Sequence, residues 1–197
     1  NGYKHLKSLG LGYHFYQGSY LSAIADVLDT TKKTLIHIPS VNSRAATGLG
    51  KYTEVEEIML LCGSIGEKDY DTGITEVYTP DGRTLRFADL VEDSASERTV
   101  LQGYLQRMNR KDDVDIIIAL GTAKEGFDWQ WCEHCLTIGV RGSLTEVVQI
   151  IGRCTRDCEG KDHAQFTNLI AAPDATQDDV SRSVNDMLKA IVASLLM

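Results

Sequence analysis

No stretch of the 197 residues holds 18 consecutive apolar side chains, so no membrane-spanning helix is expected. The opening residues carry no secretory signal pattern. Cysteine is scarce and odd in number, five in all. That count does not suit a disulfide framework, and free thiols in a cytoplasmic, reducing compartment are expected. A basic excess is missing as well: 20 Lys and Arg against 28 Asp and Glu leave a net charge of −8. Such a balance argues against a free-standing nucleic-acid binder. A phosphate-cradling P-loop is also lacking. The nearest approach is residues 45–53, AATGLGKYT, where Ala45 takes the first glycine position and Gly50-Lys51 is followed by Tyr52 instead of Ser or Thr. It is expected to cap the helix TEVEEIMLLCG.

What is present is a 43% hydrophobic chain, sufficient for one domain with its own core. It starts at Asn1 and stops inside an apolar helical pattern, SLLM, so a fragment of a longer protein is expected. Residues 1–17 show no convincing period and read as a linker from a preceding domain. Leu21, Ile24, Ala25 and Leu28 share a helical face, and Leu35, Ile36 and Ile38 form a short buried strand stopped by Pro39. Residues 74–79 and 84–87 flank Pro80-Asp81-Gly82, a hairpin signal. Val100, Leu101, Tyr104, Leu105 and Met108 predict a helix, with Ser94 and Glu97 as its capping box. Strands are expected at 115–120, 135–140 and 163–171, and a final helix over 176–197. Helix and strand alternate, which predicts an α/β layered domain with a mainly parallel central sheet, over residues 18–172.

The most informative stretch is 149–156, QIIGRCTR. Leu144, Val147, Val148 and Ile151 predict an amphipathic helix, with Ser143 and Glu146 as a capping box. Gly152 is expected to end it. Arg153 and Arg156 then stand three residues apart, and planar guanidinium forks suit bidentate contact with phosphate oxygens. Taken alone, two arginines at a helix end are equally a solvated end balancing the helix dipole. Upstream, residues 115–129, DIIIALGTAKEGFDW, run from a buried strand into a glycine-containing loop that ends in Asp128. In open α/β sheets the carboxyl ends of strands are where ligands bind.

Residues 125–129, EGFDW, resemble motif V, and residues 149–156 resemble motif VI (Q-x-x-G-R-x-x-R), of superfamily 2 DEAD/DEAH-type helicases. Both motifs belong to the C-terminal, second RecA-like domain of those motors, and their order and separation fit. The resemblance covers about residues 20–172. It implies a RecA-like three-layer domain, with a small hairpin insertion. It also implies that residues 1–17 link to a missing N-terminal RecA-like domain that binds ATP and Mg2+, and that 173–197 are a truncated C-terminal helix. No acidic Walker B strand of the DExx kind occurs here. The acidic balance is compatible with such a domain, since only a local strip meets phosphates.

By resemblance Arg156 is the arginine finger, Arg153 its helper, and Gln149 assists with water or phosphate. Gly126 lets the backbone pass close to the nucleotide, and Asp128 bonds the ribose or links to the arginines. The strand at 34–38 becomes motif IV, whose following loop offers Ser40, Asn42, Ser43 and Arg44 to DNA or RNA backbone; the same residues also suit an ordinary polar loop. Gly121 and Thr122 make the corresponding contact at motif V. Leu120 stands where many relatives carry threonine, which leaves Thr122 as the phosphate contact.

Other readings stay open. Cys132-x-x-Cys135 and Cys154-x-x-x-Cys158 approach a four-cysteine zinc pattern, with His134 and His163 nearby. Against zinc stands the packing of thiols as small hydrophobes. Trp129 and Trp131 either stack on bases or belong to the core. A translocase of the restriction or remodelling kind, without strand separation, uses the same motifs.

Overall fold

The computed structural model describes residues 2–39, 47, 49–120, 127–139, 144–172 and a few positions between 181 and 193. Eight strands form one sheet: β1 (Ser8–Tyr16), β2 (Thr34–Ile38), β3 (Ser64–Lys68), β4 (Ile74–Tyr78), β5 (Thr84–Asp89), β6 (Ile116–Leu120), β7 (His134–Ile138) and β8 (His163–Ala171). Their order is β1-β8-β7-β2-β6-β5-β4-β3. The pairings from β1 through β5 are parallel, and only β5-β4 and β4-β3 are antiparallel.

The central strands TLIHI, IIIAL and HCLTI are near-continuous apolar runs because both faces of a parallel sheet are covered. Alternation sends Leu35, Ile117, Ala119 and Cys135 to one core and Ile36, Ile38, Ile116, Ile118, Leu136 and Ile138 to the other. Helices α3 (Ala95–Gln106) and α4 (Leu144–Cys154) cover the first face through Leu101, Leu105, Val147, Ile150, Ile151 and Cys154. Helices α1 (Tyr20–Val27) and α2 (Lys51–Cys62) cover the second through Tyr20, Ile24, Val55, Ile58 and Met59. This is the expected three-layer α/β domain with a mainly parallel sheet. Ser19 and Ser94 cap α1 and α3 as hydroxyl acceptors, and Gly50 stands before Lys51 at the start of α2.

Three expectations need correction. Residues 8–16, read as linker, are a full edge strand hydrogen-bonded to β8 from Ser8↔His163 to Tyr16↔Ala171. Leu9, Leu11 and Tyr13 alternate onto the α3/α4 core. Gly10 and Gly12 between them obscured that period. Gly10 leaves room for the Gln165 side chain, whose Oε1 would stand 1.9 Å from an added Cβ. In the hairpin, the resemblance implies that the first strand is the core one and its partner a local addition, whereas the second strand, β5, joins the parallel core beside β6 and β4 is the outer addition; both strands mix buried and half-buried positions, so their pattern does not tell them apart. Finally, α4 runs through Gly152 to Cys154. Gly152 has no positive φ, and an added Cβ there meets nothing, so no left-handed cap is formed. The final helix expected over 176–197 falls mainly outside the described residues.

Candidate active site: the motif V and motif VI junction

α4 lies on the sheet with Val147, Ile150, Ile151 and Cys154 buried. That packing fixes what the opposite face presents. Gln149 is exposed, and Arg153, four residues on and therefore on the same side, is half-buried in the last helical turn. Thr155 closes the helix: its N–H and hydroxyl both donate to the Ile151 carbonyl, each at 3.1 Å. Arg156 follows, exposed, with its Nε 3.3 Å from Asp128 Oδ1. The structure thus brings Asp128, in the stretch that resembles motif V, into contact with Arg156, in the stretch that resembles motif VI. In water such an exposed pair is worth about 0–1 kcal/mol, so its position is not explained by stability.

The location differs from the sequence reading. β6 and β7 run in the same direction, so the chain after Leu120 must return to the amino end of β7. By Asp128 it has largely done so. Trp129 sits in the α3/α4 core with Cys132 and Cys154. The Gln130 carbonyl accepts a 3.0 Å bond from Lys161 Nζ, just before β8 begins. The Asp128–Arg156 pair therefore lies where α4 ends and β8 starts, away from the carboxyl edge of the sheet. At that carboxyl edge, Ile38 of β2 and Leu120 of β6 pair as neighbours. These are the last strand residues before the segments holding Ser40, Asn42, Ser43, Arg44, Gly121, Thr122 and Gly126, all of which lie outside the described residues.

Sequence reasoning passed over three anchored side chains, two beside this junction and one in α2 near the segment after β2. Asp157 accepts backbone N–H groups from Lys4, His5 and Leu6 at 2.9, 2.9 and 2.8 Å. Those bonds, led by Leu6 and Lys4, hold its carboxyl well below the usual range, at about 2. Lys161 is 3% exposed, and burial pushes its ammonium pKa down. Glu54, also buried, accepts Tyr20 Oη at 2.7 Å, Thr47 N at 3.2 Å and Thr47 Oγ1 at 2.6 Å. It thereby pins Thr47, at the far end of the segment after β2, to α1 and α2. Glu54 looked like any acid on a helix.

Trp129 is 5% exposed and belongs to the core, so the stacking reading fails for it; Trp131 is half-buried against the same core. All five cysteines are free and buried. Cys132 and Cys135 sulfurs are 3.9 Å apart, and Cys135 and Cys154 donate to the Ile150 and Ile151 carbonyls at 3.4 and 3.3 Å. The thiols therefore pack as small apolar groups with carbonyl partners. Among the described residues, no three His, Cys, Asp or Glu side chains are placed to hold a metal ion, nor is any helix long and apolar enough to cross a membrane. Lys51, in the P-loop-like stretch, instead places Nζ 3.8 Å from Asp93.

No family model matches the chain. A curated protein of Bacillus subtilis (strain 168), provisionally named ATP-dependent helicase YeeB, is 59% identical over 198 residues, covering all of this chain and 33% of the relative. The chain thus spans about a third of that relative's length. Among solved structures, "Mss116p DEAD-box helicase domain 2 bound to an RNA duplex" has a TM-score of 0.46 at 16% identity, covering 92% of this chain and 70% of that one. "ATP-dependent Type ISP restriction-modification enzyme LlaBIII bound to DNA" has a TM-score of 0.49 at 13% identity, covering 96% and 14%. Along its whole length the chain is similar to a segment of a protein named as an ATP-dependent helicase.

Proposed function

We propose that this domain is the second motor domain of an ATP-dependent helicase or translocase acting on DNA or RNA. In this reading ATP with Mg2+ is held mainly by an N-terminal RecA-like domain of the same parent chain. The present chain closes over it. The observation that supports the proposal is the 3.3 Å contact between Asp128 and Arg156, one in the stretch that resembles motif V and the other in the stretch that resembles motif VI.

Phosphoryl transfer builds negative charge on the transferred group and the leaving oxygen, and an arginine supplied from a second domain offsets it. Arg156, exposed and steered by Asp128, fills that role, with Arg153 on the preceding helical turn as helper. Gln149 lies one turn earlier on the same face and would orient water or phosphate. Asp128 holds the guanidinium while the cleft is open. Gly126 gives the nucleotide room at the backbone. Loops after β2 and β6, carrying Ser40, Asn42, Arg44, Gly121 and Thr122, would grip nucleic-acid phosphates. Because closure depends on bound ATP, that grip alternates with hydrolysis.

The test is ATP hydrolysis by the full-length gene product, with and without nucleic acid, wild type beside Arg156→Ala. Nucleic-acid-stimulated turnover should fall by at least about two decades in the variant. An unchanged rate removes the finger assignment.

A further inference from the structure

Asp157 directly follows Arg156, and its two oxygens are engaged by three successive main-chain donors. Lys4 N–H bonds Oδ2, while His5 and Leu6 N–H bond Oδ1. The attachment continues without a break. Lys7 and Ser8 N–H donate to the Asp162 carbonyl at 2.8 and 3.2 Å, and β1 starts at Ser8. Residues 4–8 are thus fastened along the turn 157–162. From the other side, Lys161 Nζ bonds the Gln130 carbonyl, two residues beyond Asp128. The short turn that bears Arg156 is therefore held between the segment ahead of β1 and the segment that supplies Asp128.

We propose that Asp157 is a positioning residue that clamps the segment preceding β1 to the Arg156 turn, so that the placement of that segment sets where the guanidinium stands. The inference rests on the reading of Arg156 as a finger. Its chemistry is asymmetric. The donors are main-chain N–H groups, available whatever side chains occupy positions 4 to 6, whereas the acceptor depends wholly on the Asp157 carboxylate. A carboxylate so bonded stays ionised across the physiological range, and the clamp does not switch with pH. An anion that gathers three N–H groups beside an exposed cation also orders the backbone on which that cation is mounted. A displaced catalytic group is costly even when the fold survives: a shift of about 1 Å can lower turnover roughly 100-fold.

The experiment compares kcat and KM for ATP, at saturating nucleic acid, together with melting temperature, in the full-length gene product. The variants are Arg156→Ala, Asp157→Ala, Asp157→Asn and a Lys4→Ala/His5→Ala double. Asp157→Ala should lower kcat roughly tenfold or more with KM for ATP little changed, since ATP is held mainly elsewhere. The Lys4/His5 double, which keeps every main-chain donor, should retain wild-type kcat. Should Asp157→Ala fail to fold, Asp157→Asn decides: it keeps the size and one acceptor oxygen, and kcat should drop by a smaller factor at an unaltered melting temperature. Wild-type kcat in a folded Asp157 variant, beside a crippled Arg156→Ala, overturns the clamp and leaves the finger. Turnover lost only in step with melting temperature marks Asp157 as structural and also overturns it. An active Arg156→Ala overturns the finger reading and the clamp with it.

Discussion

Asp128 Oδ1 and Arg156 Nε meet at 3.3 Å, with both side chains more than half exposed. An exposed ion pair contributes at most about 1 kcal/mol to stability. Asp128→Asn and Arg156→Ala should therefore each leave the denaturation midpoint of the protein nearly unchanged. A chemical-denaturation double-mutant cycle should return a coupling of about 1 kcal/mol or less. A coupling of several kcal/mol would show that the pair is a structural device and would weaken the catalytic reading.

His134 titrates against burial. It sits in β7 with Nε2 2.9 Å from Thr167 Oγ1, and burial lowers its pKa from 6.5 to about 4. The unfolded chain then binds more protons than the folded one between those values. Its contribution to stability is complete above about pH 6.5 and is lost as pH falls through 4. The loss amounts to about 3 kcal/mol. Urea denaturation at pH 7, 5.5 and 4 should reveal it, and His134→Gln, which retains a partner for Thr167, should flatten that part of the profile. Equal slopes in both proteins would exclude this origin.

Glu54 is a buried acceptor for Tyr20 and Thr47. Glu54→Ala strands these donors and should cost about 2–3 kcal/mol. Glu54→Gln keeps the size and one acceptor oxygen and should cost less. If the loop after β2 grips nucleic acid, Glu54→Gln should also weaken nucleic-acid affinity while sparing KM for ATP; fluorescence-anisotropy titration reads the first and steady-state kinetics the second.

Gly63 ends α2 in extended backbone, and an added Cβ would stand 2.1 Å from the Tyr78 carbonyl oxygen and 2.7 Å from its carbon. Neither atom belongs to a flexible side chain. Gly63→Ala should force β3 and β4 apart and destabilise the protein by about 1–3 kcal/mol. Gly152→Ala, in open space within α4, should instead be neutral or stabilising by up to about 1 kcal/mol. Thermal melts of the two variants should move in opposite directions, or the second not at all.

Much of the architecture was legible because the central strands are near-continuous apolar runs and α1, α3 and α4 carry apolar stripes. β8 matched residue for residue, and α3 began at its predicted cap. β1 was missed because Gly10 and Gly12 occupy one of its two faces, where Gln165 approaches, so half of the alternation carries no side chain to read. Motif order located Arg156 and Asp128, but motif spacing says nothing of contact. The contact depends on Trp129 being buried beside Cys154 and on Gln130 being bonded to Lys161, which hold residues 128–130 near the end of α4. Asp157 escaped because its partners are main-chain groups 151 to 153 residues away, and no side-chain pattern encodes them.

The pairing of Ser8 with His163 spans 155 residues. A sheet edge that joins the first and last of these eight strands carries the largest loop-closure entropy of the described pairings and raises the contact order. Of these strands β1 emerges first during synthesis, yet it must wait for β8 before it gains a neighbour. The sheet from β7 to β3 can assemble earlier. Folding should thus end with the seam fastened to the turn that bears Arg156, so that turn takes its final place only when the sheet has closed.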